Sequence, residues 1–162
     1  QDAKTKVREL IKDIGIAMLA TRGGDGRFHA RPMATSDTDF DGTLWFLTDD
    51  RSGKIEDIEA DSEVLVTYAD EKEQTYLSAS GRGRIVHDPE KIRELWSEAA
   101  RAWFPKGPDD PNLAAIRIDV DEVEYWDSPS ATMVMLYGYA KAWLTGERPS
   151  RLGENERVRY PH

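Results

Sequence analysis

The sequence predicts a mainly β fold of the α+β class, an antiparallel barrel with peripheral helices. Short apolar runs of strand length alternate with tight turns rich in glycine and aspartate, of which residues 23–26 (GGDG) and 40–43 (FDGT) are the clearest. Helical patterns occur singly, without the regular alternation of strand and helix that builds a parallel sheet. These observations favour hairpins and disfavour a doubly wound parallel sheet.

Length, charge and cysteine content limit the class of protein. A chain of 162 residues suffices for one domain, so we expect a single domain over 1–162, with a helix at 1–14 and a tail at 147–162. The net charge of −9 disfavours nucleic acid and anionic membranes as partners. Because the chain has no cysteine and no apolar run of about 20 residues, we expect a cytoplasmic protein without a membrane helix.

Three helices are predicted. The first covers residues 4–14, where apolar residues recur at helical spacing. The second covers 53–60 and follows Ser52, a favoured capping residue. The third covers 88–104, because an aspartate and a proline open it and apolar residues continue along one face. The segment 132–146 is ambiguous, strand-like at first and helix-like towards its end.

About seven strands are predicted from short β-favouring runs. In the longest run, Gly81 and Gly83 predict a bulge or a close approach of another backbone. The predicted strands cover residues 16–21, 27–33, 44–48, 63–69, 75–86, 113–120 and 122–126.

The sequence contains no metal-ligand pattern and no serine hydrolase motif. His29, His87 and His162 are far apart and lack paired spacings, and no G-x-S-x-G is present. We interpret His29 and His87 as ordinary strand or strand-end residues.

One polar arrangement stands out where the third strand runs into the second helix. Thr48, Ser52 and Lys54 bring two hydroxyls and an ammonium to a helix N-terminus, where free backbone amides favour an anion. This combination suits a phosphate. The alternative is that Ser52 only caps the helix and Lys54 only faces solvent.

Several segments resemble a known family. MLATRGGDGRFHARPMA (18–34) and LWFLTDDRSGKIEDIEADSEV (44–64) are similar to the start of the pyridoxamine 5'-phosphate oxidase-like FMN-binding split barrels. FPKGPDDP (104–111) and EYWDSPS (124–130) resemble the general stress protein branch of that family. The resemblance covers roughly residues 14–146 and implies an antiparallel split β-barrel.

The resemblance also implies a ligand, a partner and an activity. It implies FMN as cofactor, with FAD, a deazaflavin or haem as alternatives, and a homodimer that holds the flavin at the subunit interface. It implies a flavin-dependent oxidoreductase acting on a small molecule; the alternative is a non-catalytic flavin carrier or stress sensor. By the same resemblance, Arg31, Lys54, Ser52 and Thr48 would bind the phosphate, Pro32, Met33 and Leu47 would line the flavin, and Trp126 would lie beside it.

Two departures from the family pattern matter. Gly53 stands where the oxidase has a second basic residue, so we expect phosphate binding either to be weaker or to be completed by another residue such as Arg51. The arginine and histidine motif with which the oxidase grips its pyridoxal phosphate substrate has no counterpart in 128–137. We therefore do not expect vitamin B6 oxidation, and we nominate no catalytic acid or base.

Overall fold

The computed structural model describes residues 2–36, 39–127, 136, 139–141, 143, 144, 146 and 154–162. Seven strands, three α-helices and one 3₁₀ helix have described bounds in this part of the chain. In chain order they are α1 (Ala3–Ile14), β1 (Ile16–Arg22), β2 (Phe28–Ala34), β3 (Thr43–Asp49), α2 (Gly53–Ala60), β4 (Glu63–Asp70), β5 (Thr75–Val86), α3 (Pro89–Leu95), the 3₁₀ helix (Glu98–Ala102), β6 (Leu113–Asp127) and β7 (Glu154–Arg159). None of the helices described is long and apolar enough to cross a membrane.

All neighbouring strands pair antiparallel in one sheet, which confirms the predicted mainly β class. Their order is β2-β1-β4-β5-β6-β3, and β7 joins the second half of β6, whose first half pairs with β3. A bridge between Thr35 and Phe46 brings the outermost strands together, and the amide of Ser36 donates to the Trp45 carbonyl at 2.9 Å. Beyond this bridge β2 and β3 separate, so the barrel is closed at one point and split beside it.

The predicted bulge lies in the longest hairpin. The pairing of β5 with β6 shifts between Ser80 and Gly81, which confirms the prediction. A Cβ atom on Gly81 would collide with the carbonyl oxygen of Asp119, so only glycine fits there. The shift lets β6 bend and pair with β3 and β7 in turn.

The first helix covers one side of the core. Val7, Leu10 and Ile11 are buried, as the helical spacing predicts, and the Asp2 carboxylate caps the helix by accepting from the Thr5 amide at 2.8 Å. Gly15, at φ 74°, ends it. The main core lies between α1 and the inner faces of the strands, and a smaller cluster lies beneath α3.

The helix predicted over 88–104 is wrong in its length. The α-helix ends at Leu95, Trp96 and Ser97 are extended at ψ 138° and 155°, and the separate 3₁₀ helix follows. Serine followed by glutamate favours a new helix start, and the amide of Ala100 donates to the Ser97 carbonyl at 2.9 Å. The Ser97 side chain itself makes no capping hydrogen bond, and Trp96, Ala100 and Phe104 pack against the smaller core cluster, so tertiary packing was stronger than the apolar periodicity.

Two predictions about β-strands also need correction. The predicted strands 113–120 and 122–126 form the single strand β6, because Asp121 between them is the extra, exposed residue of the bulge and does not end the strand. The expected tail, 147–162, contains β7. Its sequence ENERVR has one apolar residue, Val158, so the pattern alone does not indicate a strand.

The ambiguous segment 132–146 lies only partly in the described chain. Its described residues at 136, 139–141, 143 and 144 are helical, which agrees with the helix-like end of the pattern. The strand-like stretch 133–137 lies outside the described residues except for Leu136, which is helical.

Candidate functional site

The split between β2 and β3, together with the start of α2, forms two clefts that share Lys54. The first, here called the polar cleft, has a volume of about 480 Å³ and the second, the apolar cleft, about 630 Å³. Both volumes are in the range typical of small-molecule sites. The polar cleft is lined by Gly23, Gly24, Asp25, His29, Arg31, Ser52, Gly53, Lys54, Glu56 and Asp57.

Arg31 is held in the polar cleft by contacts to two neighbouring elements. Its Nη1 donates to the Thr21 hydroxyl at 2.7 Å and to the Leu19 carbonyl at 3.3 Å. The Thr21 hydroxyl donates in turn to Asp57 Oδ2 at 3.0 Å, and that oxygen lies 3.7 Å from Arg31 Nη2. Burial lowers the pKa of Arg31, and the charge of Asp57 opposes this effect. The guanidinium remains charged, since arginine does not deprotonate in proteins.

Lys54 is half-buried between the two clefts. Its Nζ donates to the Ser52 hydroxyl at 3.0 Å, and that hydroxyl lies 3.4 Å from the Thr48 hydroxyl. Burial lowers the pKa of Lys54, the charge of Arg31 lowers it further, and Asp49 opposes both. Among the described residues, no carboxylate oxygen lies within 4 Å of Nζ. Arg31 and Lys54 thus bring two positive charges to the cleft, and Lys54 has no close counterion in the part of the chain described. Such an arrangement attracts an anion.

The hydroxyl of Ser52 is available to this site. Ser52 occupies the N-cap position of α2 as predicted, but its side chain makes no capping hydrogen bond. The capping role therefore does not account for the side chain, which contacts Lys54 and Thr48. The first-turn amides of a helix lack acceptors within the helix, so this end of α2 adds partial positive charge.

Arg51 does not complete the site. Its Nε and Nη2 donate to the two oxygens of Asp49 at 3.0 and 2.8 Å, and its side chain is 71% exposed. This pairing lowers the pKa of Asp49 to about 2. Arg51 lines neither cleft, so the expectation that it replaces the missing basic residue is not supported. Gly53 leaves open space where a side chain would stand, since no atom lies within 4 Å of its ideal Cβ position.

The apolar cleft lies between two walls. Pro32, Met33 and Leu47 form the wall on the barrel side, and the segment 96–104 forms the opposite wall. Leu47 also packs in the smaller core cluster, which fixes the barrel wall. The cleft is lined by Ile16, Pro32, Met33, Ala34, Thr35, Ser36, Leu47, Thr48, Asp49, Lys54, Glu94, Leu95, Trp96, Ser97, Ala99, Ala100, Trp103 and Phe104.

Seven of the eight predicted site residues therefore line one cleft or the other, and Trp126 does not. Trp126 pairs with Tyr76 and Asn155 at the far end of β6. The β6 residue paired with Thr48 is Ala114, twelve positions from Trp126. Up to roughly 40 Å of strand lies between them. Within one chain, Trp126 is separate from the site.

The sequence interpretation missed two residues that position Arg31: Asp57, which lines the polar cleft, and Thr21, which is buried beside it. Both residues could have been identified from the sequence. The turn at 23–26 sets a hairpin register that pairs Thr21 with His29 and Leu19 with Arg31, which puts Arg31 on the inner face with Thr21. Asp57 lies three positions after Lys54 in a helix, where side chains are neighbours.

Fold and site together define a split β-barrel with two cations, Arg31 and Lys54, at the split, beside an apolar cleft. The chain belongs to the family described as pyridoxamine 5'-phosphate oxidase like, whose sequence profile matches residues 2–150. The resemblance seen in the sequence is thereby confirmed.

Individual relatives place the chain near the general stress proteins of this family. General stress protein 26 of Bacillus subtilis is 29% identical over 140 residues, covering 84% of this chain and 96% of that protein. The structure of General Stress Protein 26 from Bacillus anthracis has a TM-score of 0.67 and 29% identity, covering 75% of this chain and 92% of that one. The general stress FMN/FAD binding protein of Xanthomonas citri has a TM-score of 0.69 and 31% identity, covering 79% and 90%.

Proposed function

We propose that this protein binds FMN across the two clefts and acts as a flavin-dependent oxidoreductase on a small molecule. The observation that carries the proposal is the position of Lys54, a half-buried cation between a polar and an apolar cleft. A ligand that satisfies both clefts has an anionic end and a flat apolar end. FMN has this form, with a phosphate at one end and a planar ring system at the other.

The residues present fit this cofactor. Arg31, Lys54 and Ser52 would hold the phosphate, with Thr48 behind the serine hydroxyl. A phosphate dianion binds where cations and hydroxyls converge on one cleft. The similarity to a protein described as FMN/FAD binding supports the same choice.

The ring system would lie along the barrel wall of the apolar cleft. In β2, Pro32 and Met33 come directly after Arg31, and in β3, Leu47 directly precedes Thr48. A cofactor whose phosphate is held at Lys54 would therefore reach these three residues in the apolar cleft. Bound flavin would supply the hydride or electron transfer. The chain's own residues would orient the ring and exclude water from one of its faces.

A carrier or sensor of flavin is the second candidate, and one observation favours it. The two carboxylates that line the apolar cleft are both paired with cations, Asp49 with Arg51 and Glu94 with Lys91. Neither is a free acid or base beside the ring. Catalytic turnover distinguishes the candidates.

The visible absorption spectrum of the purified protein, followed by FMN titration if the protein is colourless, tests the cofactor. We expect flavin bands or saturable binding near one FMN per chain, whereas a haem would give a Soret band instead. FAD and a deazaflavin are distinguished by mass spectrometry of the released cofactor. Absence of any saturable flavin binding would contradict the proposal.

Turnover is then measured with NADPH as donor and oxygen or a dye as acceptor. Repeated bleaching and recovery of the bound flavin supports the oxidoreductase. Reduction that never turns over with any acceptor supports the carrier.

We also propose a homodimer, in which a second copy brings its Trp126 to the cleft. Across β1, β4, β5 and β6, the outer face of the sheet carries four exposed apolar residues, Met18, Leu65, Tyr76 and Trp126, of which Tyr76 and Trp126 are directly paired. Pro32 pairs with Met18 on the same face and also lines the apolar cleft, so the cleft opens beside this surface. Exposed apolar surface of this extent typically marks an interaction site.

Sedimentation velocity tests the dimer. The wild type is expected to sediment as a dimer, and Leu65→Glu as a monomer, because the change puts a carboxylate into an apolar interface. Ala60→Glu, which adds the same charge at the exposed end of α2, is the control and should remain dimeric. A monomeric wild type would overturn the proposal.

A further inference from the structure

We propose that the outer wall of the apolar cleft, formed by Trp96, Trp103 and Phe104, binds the substrate and selects planar, uncharged aromatic molecules. This inference rests on the proposed function, because it assigns the opposite, barrel wall to the flavin. The two walls enclose a single cleft of about 630 Å³. The barrel wall is continuous with the phosphate-binding residues, whereas the outer wall comes from a separate segment after α3.

The outer wall spans the break that follows α3. The chain extends at Trp96 and Ser97 and then turns into the 3₁₀ helix, and three aromatic residues within nine positions line the same cleft. Phe104 packs against the smaller core cluster and anchors the end of the wall.

Trp96 is fixed by polar contacts around its ring. Its indole Nε1 donates to Glu98 Oε1 at 3.3 Å, and the Arg101 guanidinium lies 5.6 Å from the ring centre. Arg101 also donates to both oxygens of Glu98, at 2.9 and 3.3 Å. Gly107 packs against Arg101, since a Cβ atom there would lie 3.2 Å from its Nη1. This cluster orients one indole of the wall.

Trp103 is the residue best placed to contact a ligand. It is 72% exposed although it lines the cleft, and it faces a cleft whose opposite wall is apolar. An exposed indole beside an apolar cleft offers a flat surface on which another aromatic ring gains stacking and burial. The ligand is therefore planar and aromatic.

The charges around the cleft indicate that this ligand is uncharged. Asp49 and Glu94 already have cationic partners in Arg51 and Lys91, and the proposed function assigns Lys54 to the phosphate. A charged ring would lose its hydration without gaining a new counterion.

Binding of menadione, a planar uncharged naphthoquinone, tests the inference by isothermal calorimetry on oxidised protein. The chain has no cysteine, so the quinone cannot attach to a thiol. FMN content is first measured by absorbance, so that failure to bind flavin counts against the proposed function alone. With FMN bound, we expect Trp103→Ala to weaken menadione binding on the order of tenfold and Trp103→Phe to retain most of it.

Two controls make the result specific. Phe28→Ala removes another exposed aromatic ring that lines neither cleft, and it should leave menadione affinity unchanged. Naphthoquinone sulfonate, planar but anionic, should bind more weakly than menadione. Equal menadione affinity in wild type and Trp103→Ala would overturn the inference. Loss of FMN from Trp103→Ala would also overturn it, because Trp103 would then belong to the cofactor's wall.

Discussion

The two clefts that meet at Lys54 differ in how their walls are held. In the polar cleft, each functional group has a defined partner: Arg31 contacts Thr21 and Asp57, and Lys54 contacts Ser52. In the apolar cleft, one wall belongs to the barrel, and the other includes a 3₁₀ helix without a single buried residue. The polar cleft is thus held by short polar contacts, whereas the outer wall of the apolar cleft is held by packing of Phe104 on the smaller core cluster and by the polar cluster around Trp96.

The largest expected effect follows from removing either cation of the polar cleft. Arg31→Ala and Lys54→Ala should each weaken FMN binding by about 1.5–3 kcal/mol, or roughly 10- to 150-fold, because each removes a charge-assisted contact. Riboflavin, which lacks the phosphate, should bind both variants as it binds wild type. Fluorescence titration with both flavins measures this difference.

Lys12→Ala is the matched control, because it removes a cation from the exposed face of α1. Its FMN affinity should equal that of wild type. Unchanged FMN affinity in both Arg31→Ala and Lys54→Ala would show that the polar cleft is not the phosphate site.

A smaller effect is expected from the residue that orients Arg31. Thr21→Val keeps the shape of the buried side chain but removes the hydroxyl that accepts from Arg31 and donates to Asp57. We expect FMN affinity to fall about three- to tenfold, with riboflavin affinity unchanged. Thr21→Ser, which keeps the hydroxyl, should have the FMN affinity of wild type. If the valine variant lowers both flavin affinities equally, with a lower melting temperature, Thr21 is only structural.

The pH dependence of FMN binding should show the state of Lys54. Burial and the nearby Arg31 lower the pKa of Lys54, so in the free protein it loses its charge at lower pH than an ordinary lysine. FMN binding should weaken as pH rises through that lowered pKa, since only the charged form attracts the dianion. Lys54→Arg keeps its charge and should move this loss to higher pH. If FMN binding by wild type and by Lys54→Arg weakens at the same alkaline pH, the loss belongs to the titration of another group.

The smallest expected effect is a gain. Gly53 lines the polar cleft with open space at its Cβ position, where the oxidase has a basic residue. Gly53→Arg should strengthen FMN binding roughly two- to fivefold, the contribution of a partly exposed ion pair. Gly53→Ala, which adds no charge, should not. Equal gains in both would indicate helix stabilisation instead of phosphate binding.

The sequence predicted most of the fold and less of the site. Hairpin turns and strand patterns located the first five strands, and the glycine at 81 located the bulge. The break after Leu95 and the pairing of β7 depend on tertiary contacts, so periodicity alone could not show them. The same applies to Trp126, whose distance from the cleft is set by strand pairing.

The central claim is that the cleft at Lys54 holds a flavin by its phosphate, and parallel titration of wild type with FMN and riboflavin tests it most directly. We expect FMN to saturate near one per chain and to bind at least about tenfold more tightly than riboflavin. Equal affinities for the two flavins, or no saturable binding of FMN, would contradict it.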